Sequence, residues 1–442
     1  MGGKQSFAAA IKALALAAMI FMLVVSSSAA DQETILHKFQ PGGDALTPQA
    51  SGVIADAQGN LYGVTRYGGN NGDGAVYELS PQQDGGWTES VLYSFRGSAG
   101  DGQLPTGTPV FDSQGNLYGV TTVGGTTGGG TVYKLTPSAG GAWEESIIHD
   151  FNCNSSEDGC TPSSSLTFDQ AGNLYGETIG GVCRQGSGAC GVVFELSPNG
   201  GSWTETIIHR FLSGISAAGG SSPGFGMIWD KKGNLYGVCN TGGPGTWGVV
   251  WELSPVKGGG QWKETVLWQF GPDVNNPPKG GGPDSSLAMD NAGNLYGAAP
   301  YGGGGPGGGG VVYELSPDAN GKWTETVIHA FFESKTDSDG MYANSIAIDG
   351  AGNLYGTTSD GGGIGETDCG DYQGCGVVFK LTPGSGGKWK ESILHRFTNN
   401  TVNGDGGTPW PDRLLVDSSG NIFGTTSLGG DANGGIVFEI TQ

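Results

Sequence analysis

The motif Gly59-Asn60-Leu61-Tyr62-Gly63 decides the fold, because it recurs along almost the whole chain. Five further copies and one variant, Gly-Asn-Ile-Phe-Gly, begin at Gly115, Gly172, Gly233, Gly293, Gly352 and Gly420. The seven copies follow one another at intervals of 56 to 68 residues. Self-similarity at a period of this order, built from short apolar runs and turn residues, indicates one supersecondary unit repeated in tandem. The 88 glycines of the chain recur at fixed positions of this unit, which favours an ordered repeat protein over a disordered one.

Each repeat contains four apolar segments of strand length. One example of each, in repeat order, is 165–169, 116–121, 76–80 and 262–270. An aspartate stands three residues before every Gly-Asn pair, so the first two segments are joined by the turn sequence D-x-x-G-N. Aspartate and glycine in these positions are typical of a tight hairpin. A turn is needed in every repeat, whereas a catalytic carboxylate is needed once, so we interpret the seven aspartates as structural.

The two ends of the chain complete each other. Residues 33–39 match the last segment of a repeat, and residues 435–441 match the third segment and lack the fourth. The sequence therefore predicts an all-β fold, a seven-bladed β-propeller with four antiparallel strands per blade. The N-terminal strand would close the last blade and leave no unpaired edge in the ring.

Residues 1–30 belong to a different kind of sequence. Lys4 and Lys12 accompany an apolar run at 13–25, and small residues precede Asp31. This pattern predicts a signal peptide, which leaves 31–442 as a single propeller domain. The run is shorter than the roughly 20 residues of a membrane-spanning helix. We expect a protein exported to the extracellular space or the periplasm, with no membrane span in the mature chain.

The chain is acidic, with a formal net charge of −22. A field of this sign repels phosphate backbones, so nucleic acid is not expected as a partner. All five histidines occupy one position of the fourth segment, two residues before a phenylalanine, and we interpret them as framework residues. Equivalent positions on successive outer strands should be too far apart to share a metal ion. With no catalytic motif in the chain, we expect no catalytic residue, metal or cofactor, and a monomer.

Seven cysteines divide into three close pairs and one single residue. The pairs are Cys153 with Cys160, Cys183 with Cys190, and Cys369 with Cys375. Export permits disulfides, so we expect three local ones, with pairing between the first two pairs as an alternative. Cys239 stands where other repeats have threonine, and we expect a buried thiol.

The topology predicts two different ends of the propeller. Loops entering the first strand and loops between the second and third strands should lie together, and they vary from blade to blade. Variable loops on a rigid scaffold are where binding usually resides. Aromatic residues that occur once there are the preferred binding candidates: Trp247, Tyr301, Tyr342, Tyr372 and Trp410. Four aspartates of Asp-Gly pairs are weaker candidates, either lining the channel mouth or serving as turn residues: Asp101, Asp158, Asp339 and Asp405.

The tandem unit DxxGNLYGTTxxGG…GxVF/YELxP…W…LHxF resembles the GloVer tandem repeat of secreted bacterial "choice-of-anchor" proteins. The resemblance covers the whole mature chain. It implies export and, in many members, a surface-anchoring tail. This sequence ends at Gln442 directly after the last predicted strand, so such a tail is not expected. The resemblance implies no activity and transfers no functional residue.

The leading hypothesis is a secreted, non-enzymatic propeller that binds an extracellular polysaccharide or surface protein through its variable loops. A carbohydrate-active enzyme, either a glycosidase or a lyase, with carboxylates gathered around the axis is the first alternative. A structural or spacer protein is the second.

Overall fold

The computed structural model describes residues 32–42, 45–98, 100–155, 158–181, 191–211, 219–243, 245–256, 262–271, 280–303, 308–332, 338–363, 369, 374–399, 404–410 and 412–442. Their regular structure consists of β-strands and one 3-10 turn, Ser385–Gly387. In these ranges no helix has the length and apolar character required to cross a membrane.

Seven antiparallel sheets form the seven blades, each with the strand order expected of a propeller. Blade 1 contains β3 (Ile54–Ala55), β4 (Leu61–Thr65), β6 (Ala75–Pro81) and β7 (Trp87–Ser94). Blade 2 contains β8 (Gly102–Phe111), β9 (Leu117–Gly124), β10 (Thr131–Pro137) and β11 (Trp143–Asp150). Blade 3 contains β12 (Gly159–Pro162), β13 (Thr167–Phe168), β14 (Leu174–Gly181), β15 (Val192–Asn199) and β16 (Ser202–Arg210). In blade 3, β12 and β13 both pair with β14 and together make an interrupted first strand.

The remaining blades repeat this pattern. Blade 4 contains β17 (Ile228–Trp229), β18 (Leu235–Cys239), β19 (Val249–Pro255) and β20 (Trp262–Gln269). Blade 5 contains β22 (Ala288–Met289), β23 (Leu295–Ala299), β25 (Val311–Pro317) and β26 (Trp323–Ala330). Blade 6 contains β27 (Met341–Ile348), β28 (Leu354–Asp360), β29 (Val377–Pro383) and β30 (Trp389–Arg396). Blade 7 contains β31 (Gly406–Pro409), β32 (Leu415–Val416), β33 (Ile422–Gly429), β34 (Ile436–Thr441) and β1 (Gln32–Lys38).

The ring is closed by the N-terminal strand, as the sequence predicts. Strand β1 pairs antiparallel with β34, and Gln32 lies opposite Thr441 while Lys38 lies opposite Ile436. The predicted seven-bladed propeller is confirmed. Because β1 occupies the outer edge of blade 7, the third strand of that blade is paired on both sides.

The D-x-x-G-N turns are structural, as expected. In blade 1, Asp56 Oδ1 accepts hydrogen bonds from the backbone N–H groups of Gln58 and Asn60, at 2.9 Å each. Its Oδ2 accepts from Asn60 Nδ2 at 2.8 Å and from the Tyr62 hydroxyl at 3.0 Å. Gly59 has φ 87°, which explains the glycine of the motif. One carboxylate thus holds the hairpin and the first tyrosine of the following strand.

Successive blades are joined by aromatic contacts. Phe95, which follows the outer strand of blade 1, packs edge-on against Tyr133 in the third strand of blade 2, with ring centroids 5.1 Å apart. Tyr133 in turn lies over Gly119, where a Cβ would collide with its ring, so the last glycine of the motif makes room for the aromatic residue. At the other end of the blade, Trp203 of blade 3 packs on Tyr118 of blade 2 at 5.9 Å. The core therefore lies between blades, and the tryptophan that begins the fourth strand anchors one blade to the preceding one.

Two short additional strand pairs identify the loops that share one end of the propeller. Strand β2 (Ala45–Leu46) pairs with β5 (Tyr67–Gly68), and β21 (Gly280–Gly281) pairs with β24 (Tyr301–Gly302). In each case the loop entering the first strand is bonded to the loop after the second strand. The two loop sets lie at one end, as predicted, and we call this the loop end. The D-x-x-G-N turns lie at the other end, which we call the turn end.

Candidate functional site

Three of the predicted aromatic candidates come together at the loop end. The ring centroids of Trp247 and Tyr301 are 6.1 Å apart, and those of Tyr301 and Tyr342 are 6.3 Å apart. They come from blades 4, 5 and 6, so the group, which we call the aromatic platform, crosses two blade boundaries. The Tyr301 ring is 51% exposed, although it sits at the centre of the group.

A glycine segment under the platform packs against the rings of Trp247 and Tyr301. A Cβ at Gly281 would lie 2.8 Å from the Trp247 ring, and a Cβ at Gly282 would lie 2.9 Å from the Tyr301 ring. The backbone N–H of Gly282 also donates to the Trp247 carbonyl at 2.7 Å. Only a segment without side chains allows both rings to approach this closely. The platform is therefore built on paired backbone rather than on a free loop.

The other aromatic candidates are separate from the platform. Trp410 is 38% exposed in blade 7, and Tyr372 lies outside the residues that the structure describes. Sequence reasoning missed Tyr67, which holds the repeat position of Tyr301 in blade 1 and is 44% exposed. The signal that could have found Tyr67 is the Tyr-Gly-Gly sequence that it shares with Tyr301.

The four Asp-Gly aspartates do not line the channel mouth, and that expectation is wrong. Each lies between blades, 3.1 to 3.3 Å from the residue two positions before the fourth-strand phenylalanine: Asp101 with Tyr93, Asp158 with His149, Asp339 with His329, and Asp405 with His395. The reason is the turn chemistry considered as the alternative. Asp158, for example, accepts from the backbone N–H of Asn152 at 2.8 Å and of Gly159 at 2.7 Å.

A glutamate of the next blade joins each of these contacts. Three complete clusters result, and we call them the interblade triads: His149, Asp158 and Glu205; His329, Asp339 and Glu391; His395, Asp405 and Glu33. In each triad one atom of every side chain lies within 4.8 Å of the other two. The sequence argument considered only equivalent positions of successive outer strands. It compared histidines with histidines, whereas the partner is a glutamate four residues earlier in the next outer strand.

Burial shifts the pKa values of the histidines and glutamates at the blade boundaries. It raises the pKa of Glu33, Glu205 and Glu264 to about 7. Burial also lowers the pKa of His209 to about 4. At His329 burial acts in the same direction, but hydrogen bonds to Asp339 and Glu391 outweigh it and raise the pKa to about 9. These shifts favour the charged form of His329 and the neutral form of His209 at neutral pH.

The channel contains a carboxylate that sequence reasoning did not select. Asp412 Oδ1 accepts from the Gly52 backbone N–H and Oδ2 from the Thr108 N–H, both at 3.0 Å. The hydroxyls of Thr108 and Ser165 also donate to its carboxylate. Its backbone carbonyl accepts from Ser286 Oγ at 3.0 Å. Asp412 therefore connects the inner segments of blades 1, 2, 3 and 5 to its own blade 7.

A second singular carboxylate, Glu177, is buried in blade 3. Its Oε2 accepts from the backbone N–H of Gly226 at 3.1 Å, while Oε1 has no hydrogen-bond partner in the described ranges. Burial raises the pKa of Glu177 to about 7. The other six repeats have valine, alanine or threonine at this position, and none has aspartate at the position of Asp412. Departure from the repeat was the signal that could have found both residues.

The cysteines follow the sequence expectation in part. Cys369 and Cys375 are joined by a disulfide, and Cys239 is a buried thiol. Cys153 and Cys160 are free thiols, contrary to the expected disulfide. The two thiols remain neighbours and share a hydrogen bond. Burial and this hydrogen bond raise the pKa of Cys160 to about 12. Cys183 and Cys190 lie outside the described residues.

Concave grooves occur at the turn end, between successive blades. One of about 540 Å³ is lined by Tyr118, Phe168 and Trp203, together with the turn residues Asp112 and Asp169. Tyr118 is buried and its hydroxyl already donates to Asp112 at 3.0 Å. These rings hold blades together, whereas the Tyr301 ring at the loop end presents half of its surface to solvent. The aromatic platform is therefore the better candidate for ligand contact.

Comparison with solved structures finds many propellers of low sequence identity. The extracellular domain of a proposed hybrid two-component system from B. thetaiotaomicron is similar at 11% identity and a TM-score of 0.52, covering 91% of this chain and 39% of that one. A gluconolactonase from Xanthomonas campestris is similar at 14% identity and a TM-score of 0.41, covering 75% and 87%. A protein from Lactobacillus plantarum is similar at 12% identity and a TM-score of 0.49, covering 83% and 96%. These likenesses concern the fold alone.

A search of curated proteins finds no match. The model of the Gloeobacter/Verrucomicrobia repeat matches residues 17–211 and 177–438, which together include nearly all of the chain. The chain belongs to the Gloeobacter/Verrucomicrobia repeat family.

Proposed function

We propose that this propeller binds an extracellular polysaccharide through the aromatic platform at its loop end. The observation that carries the proposal is the meeting of Trp247, Tyr301 and Tyr342, three rings from three blades with centroids 6.1 and 6.3 Å apart. Aromatic rings offer large, rigid contact area and pack on the apolar faces of sugars. Neighbouring rings at this spacing suit consecutive sugar units of an extended chain.

The charge and the scaffold support the same function. A net charge of −22 disfavours anionic partners and leaves neutral polymers compatible with the surface. The rings rest on the glycine segment 280–282, so little ordering is required when a ligand binds. Export, which residues 1–30 predict, would bring the loop end into contact with such polymers.

The test is retention of the chain from residue 31 onward on a panel of neutral bacterial and plant polysaccharides, with assay of new chain ends. We expect retention without cleavage, and a loss of at least tenfold in affinity for Tyr301→Ala and Trp247→Ala. Tyr67→Ala is the matched control, because Tyr67 occupies the same repeat position and is similarly exposed. Equal affinity of the Tyr301 and Tyr67 variants would contradict the platform as the binding site. A surface protein as ligand would give no polysaccharide retention at all.

A carbohydrate-active enzyme is the second candidate, favoured by the singular carboxylates Glu177 and Asp412. Paired carboxylates are the usual groups of glycoside hydrolysis. However, protein donors already occupy both oxygens of Asp412, which favours a structural role. New chain ends that disappear in Glu177→Gln and in Asp412→Asn would support the enzyme. A spacer protein predicts that no polymer raises the melting temperature.

A further inference from the structure

The interblade triads repeat one donor set at three blade boundaries. Each offers an imidazole nitrogen, an aspartate oxygen and a glutamate oxygen, the ligand types that Zn²⁺ takes in proteins. The boundaries are those between blades 2 and 3, 5 and 6, and 6 and 7. Binding of a metal ion would displace the protons held by the histidine and the glutamate, and each set would then carry two negative charges, which match one divalent cation.

The nitrogen–oxygen distances of each triad are close to those expected between the ligands of a tetrahedral ion. The Nε2 atoms of His149, His329 and His395 lie 3.3 Å from the aspartate oxygen in every triad. They lie 3.6, 3.2 and 3.5 Å from the glutamate oxygen. Zinc–ligand bonds of about 2.1 Å place tetrahedral ligands roughly 3.4 Å apart. Charge-assisted N–H···O bonds are shorter, about 2.7–2.9 Å.

Hydrogen bonding alone leaves the triads incompletely satisfied. A single Nε2–H can point at one acceptor, yet each Nε2 faces two carboxylates. Glu33 Oε1, for example, is buried without a hydrogen-bond partner in the described ranges. A cation placed between the three side chains would interact with both carboxylates and with the nitrogen at once.

The ligands are held in place by their surroundings. Each histidine packs edge-on against the phenylalanine two residues later, with centroids 4.5 Å apart for His149 and Phe151. The Asp405 side chain is fixed by the backbone N–H groups of Thr398 at 2.8 Å and Gly406 at 2.7 Å. Solvent reaches part of the His149 side chain, which is 19% exposed, so an ion can enter and keep a water as its fourth ligand.

We propose that the three interblade triads are binding sites for a divalent transition-metal ion of the Zn²⁺ type, one ion linking each pair of blades. Other blade boundaries lack one member of the triad and serve as internal controls. Between blades 3 and 4, His209 faces Glu264 at 3.7 Å, but Gly219 stands at the aspartate position. Between blades 1 and 2, Tyr93 replaces the histidine and donates to Asp101.

The experiment uses untagged chain from residue 31 onward, stripped with chelator, dialysed against Zn²⁺ or Co²⁺, and measured for bound metal per chain. We expect His149→Gln, His329→Gln and His395→Gln each to lose one equivalent relative to the unsubstituted chain, and the triple variant to lose three. Tetrahedral Co²⁺ should also show intense visible absorption that falls with each substitution. His209→Gln is the matched control and should lose nothing. Asp44 holds the aspartate position beside His37 but lies outside the described residues, so the test rests on differences between variants.

Asp158→Asn and Glu205→Gln provide independent variants of the first site, in case a histidine change disturbs folding. Each should lose the same single equivalent as His149→Gln, and their combination should lose no more. Equal metal content in the unsubstituted chain, the triple variant and His209→Gln would overturn the proposal, because any metal present would then be bound elsewhere. Absence of bound metal would overturn it as well.

Discussion

Phe39 packs edge-on against Tyr77, with ring centroids 5.1 Å apart, and so joins the residue that follows the closing strand to blade 1. Both side chains are fully buried. The N-terminal strand is therefore held twice, by backbone pairing with β34 of blade 7 and by this ring contact with the next blade. The same contact recurs around the propeller, for example between Phe151 and Phe194 at 5.2 Å.

Phe39→Ala should lower the free energy of unfolding by about 3–5 kcal/mol, because it leaves a cavity against Tyr77. Denaturant unfolding followed by tryptophan fluorescence measures the change. Tyr67→Ala, at an exposed position, should stay within about 0.5 kcal/mol of the parent. A similar small effect for Phe39→Ala would show that this contact does not hold the ring together.

Removal of residues 32–39 should expose β34 as an open edge and promote association between chains. Light scattering against protein concentration and the melting temperature provide the measurements. We expect aggregation at concentrations where the parent is monodisperse, with a lower melting temperature. Unchanged solubility and an unchanged melting temperature would show that pairing of β1 with β34 is not needed to close the propeller.

Asp56→Ala should destabilise blade 1 at neutral pH by roughly 1–3 kcal/mol, since it removes the acceptor of four hydrogen bonds. Burial opposes ionisation of Asp56, but the bonds from Asn60, Tyr62 and Gln58 outweigh it and lower its pKa. A lowered folded-state pKa means stability that is present above the unfolded value and lost as pH falls through the folded one. The difference between variant and parent should therefore shrink in acid. A difference independent of pH would argue against the charged acceptor.

Glu177→Gln should change how stability depends on pH. Burial raises the pKa of Glu177 from its ordinary value of 4.5 to about 7, so the folded state holds its proton more tightly than the unfolded state does. Its contribution is fully present below pH 4.5 and is lost as pH rises to 7, by up to about 3 kcal/mol. Glutamine cannot ionise, so the stability of the variant relative to that of the parent should increase as the pH rises from 4.5 to 7. Parallel stability curves from pH 4 to 8 would contradict the assignment.

Asp412→Ala should cost roughly 3 kcal/mol, because it leaves the N–H groups of Gly52 and Thr108 without their carboxylate acceptor. Thermal unfolding measures the loss. Thr108→Val removes one donor and keeps the carboxylate, so its effect should be smaller. Equal stability of Asp412→Ala and the parent would indicate that the axial contacts contribute nothing.

The repeat makes the architecture readable because its signals are local. Each strand is a short apolar run, each turn is set by Asp, Gly and Asn, and the missing fourth strand at the C-terminus matches the extra one at the N-terminus. These features depend on backbone geometry within one blade. Two neighbouring loops of one blade are enough to define the loop end, as the pairing of Leu46 with Tyr67 shows.

Contacts between blades were harder to predict, because the offset of one blade against the next is absent from a repeat alignment. His149 and Glu205 are 56 residues apart and belong to different copies, and nothing local brings them together. Tyr301 and Trp247 were recognisable as singular aromatics, but their meeting depends on the same offset. Asp412 and Glu177 break the repeat, and only the assembled ring shows which residues of other blades they contact.

The pairing of β1 with β34 also sets an order of events during synthesis. Gln32 is made long before Thr441, so the early strand has no partner until blades 1 to 6 have been synthesised. Blades 1 to 6 can form one after another, because their strands are neighbours in sequence. Blade 7 cannot form in this way, because its outer strand is β1. The propeller therefore stays an open arc until β34 has been made, and the step that closes the ring brings together segments far apart in sequence, which is a slow kind of contact to form.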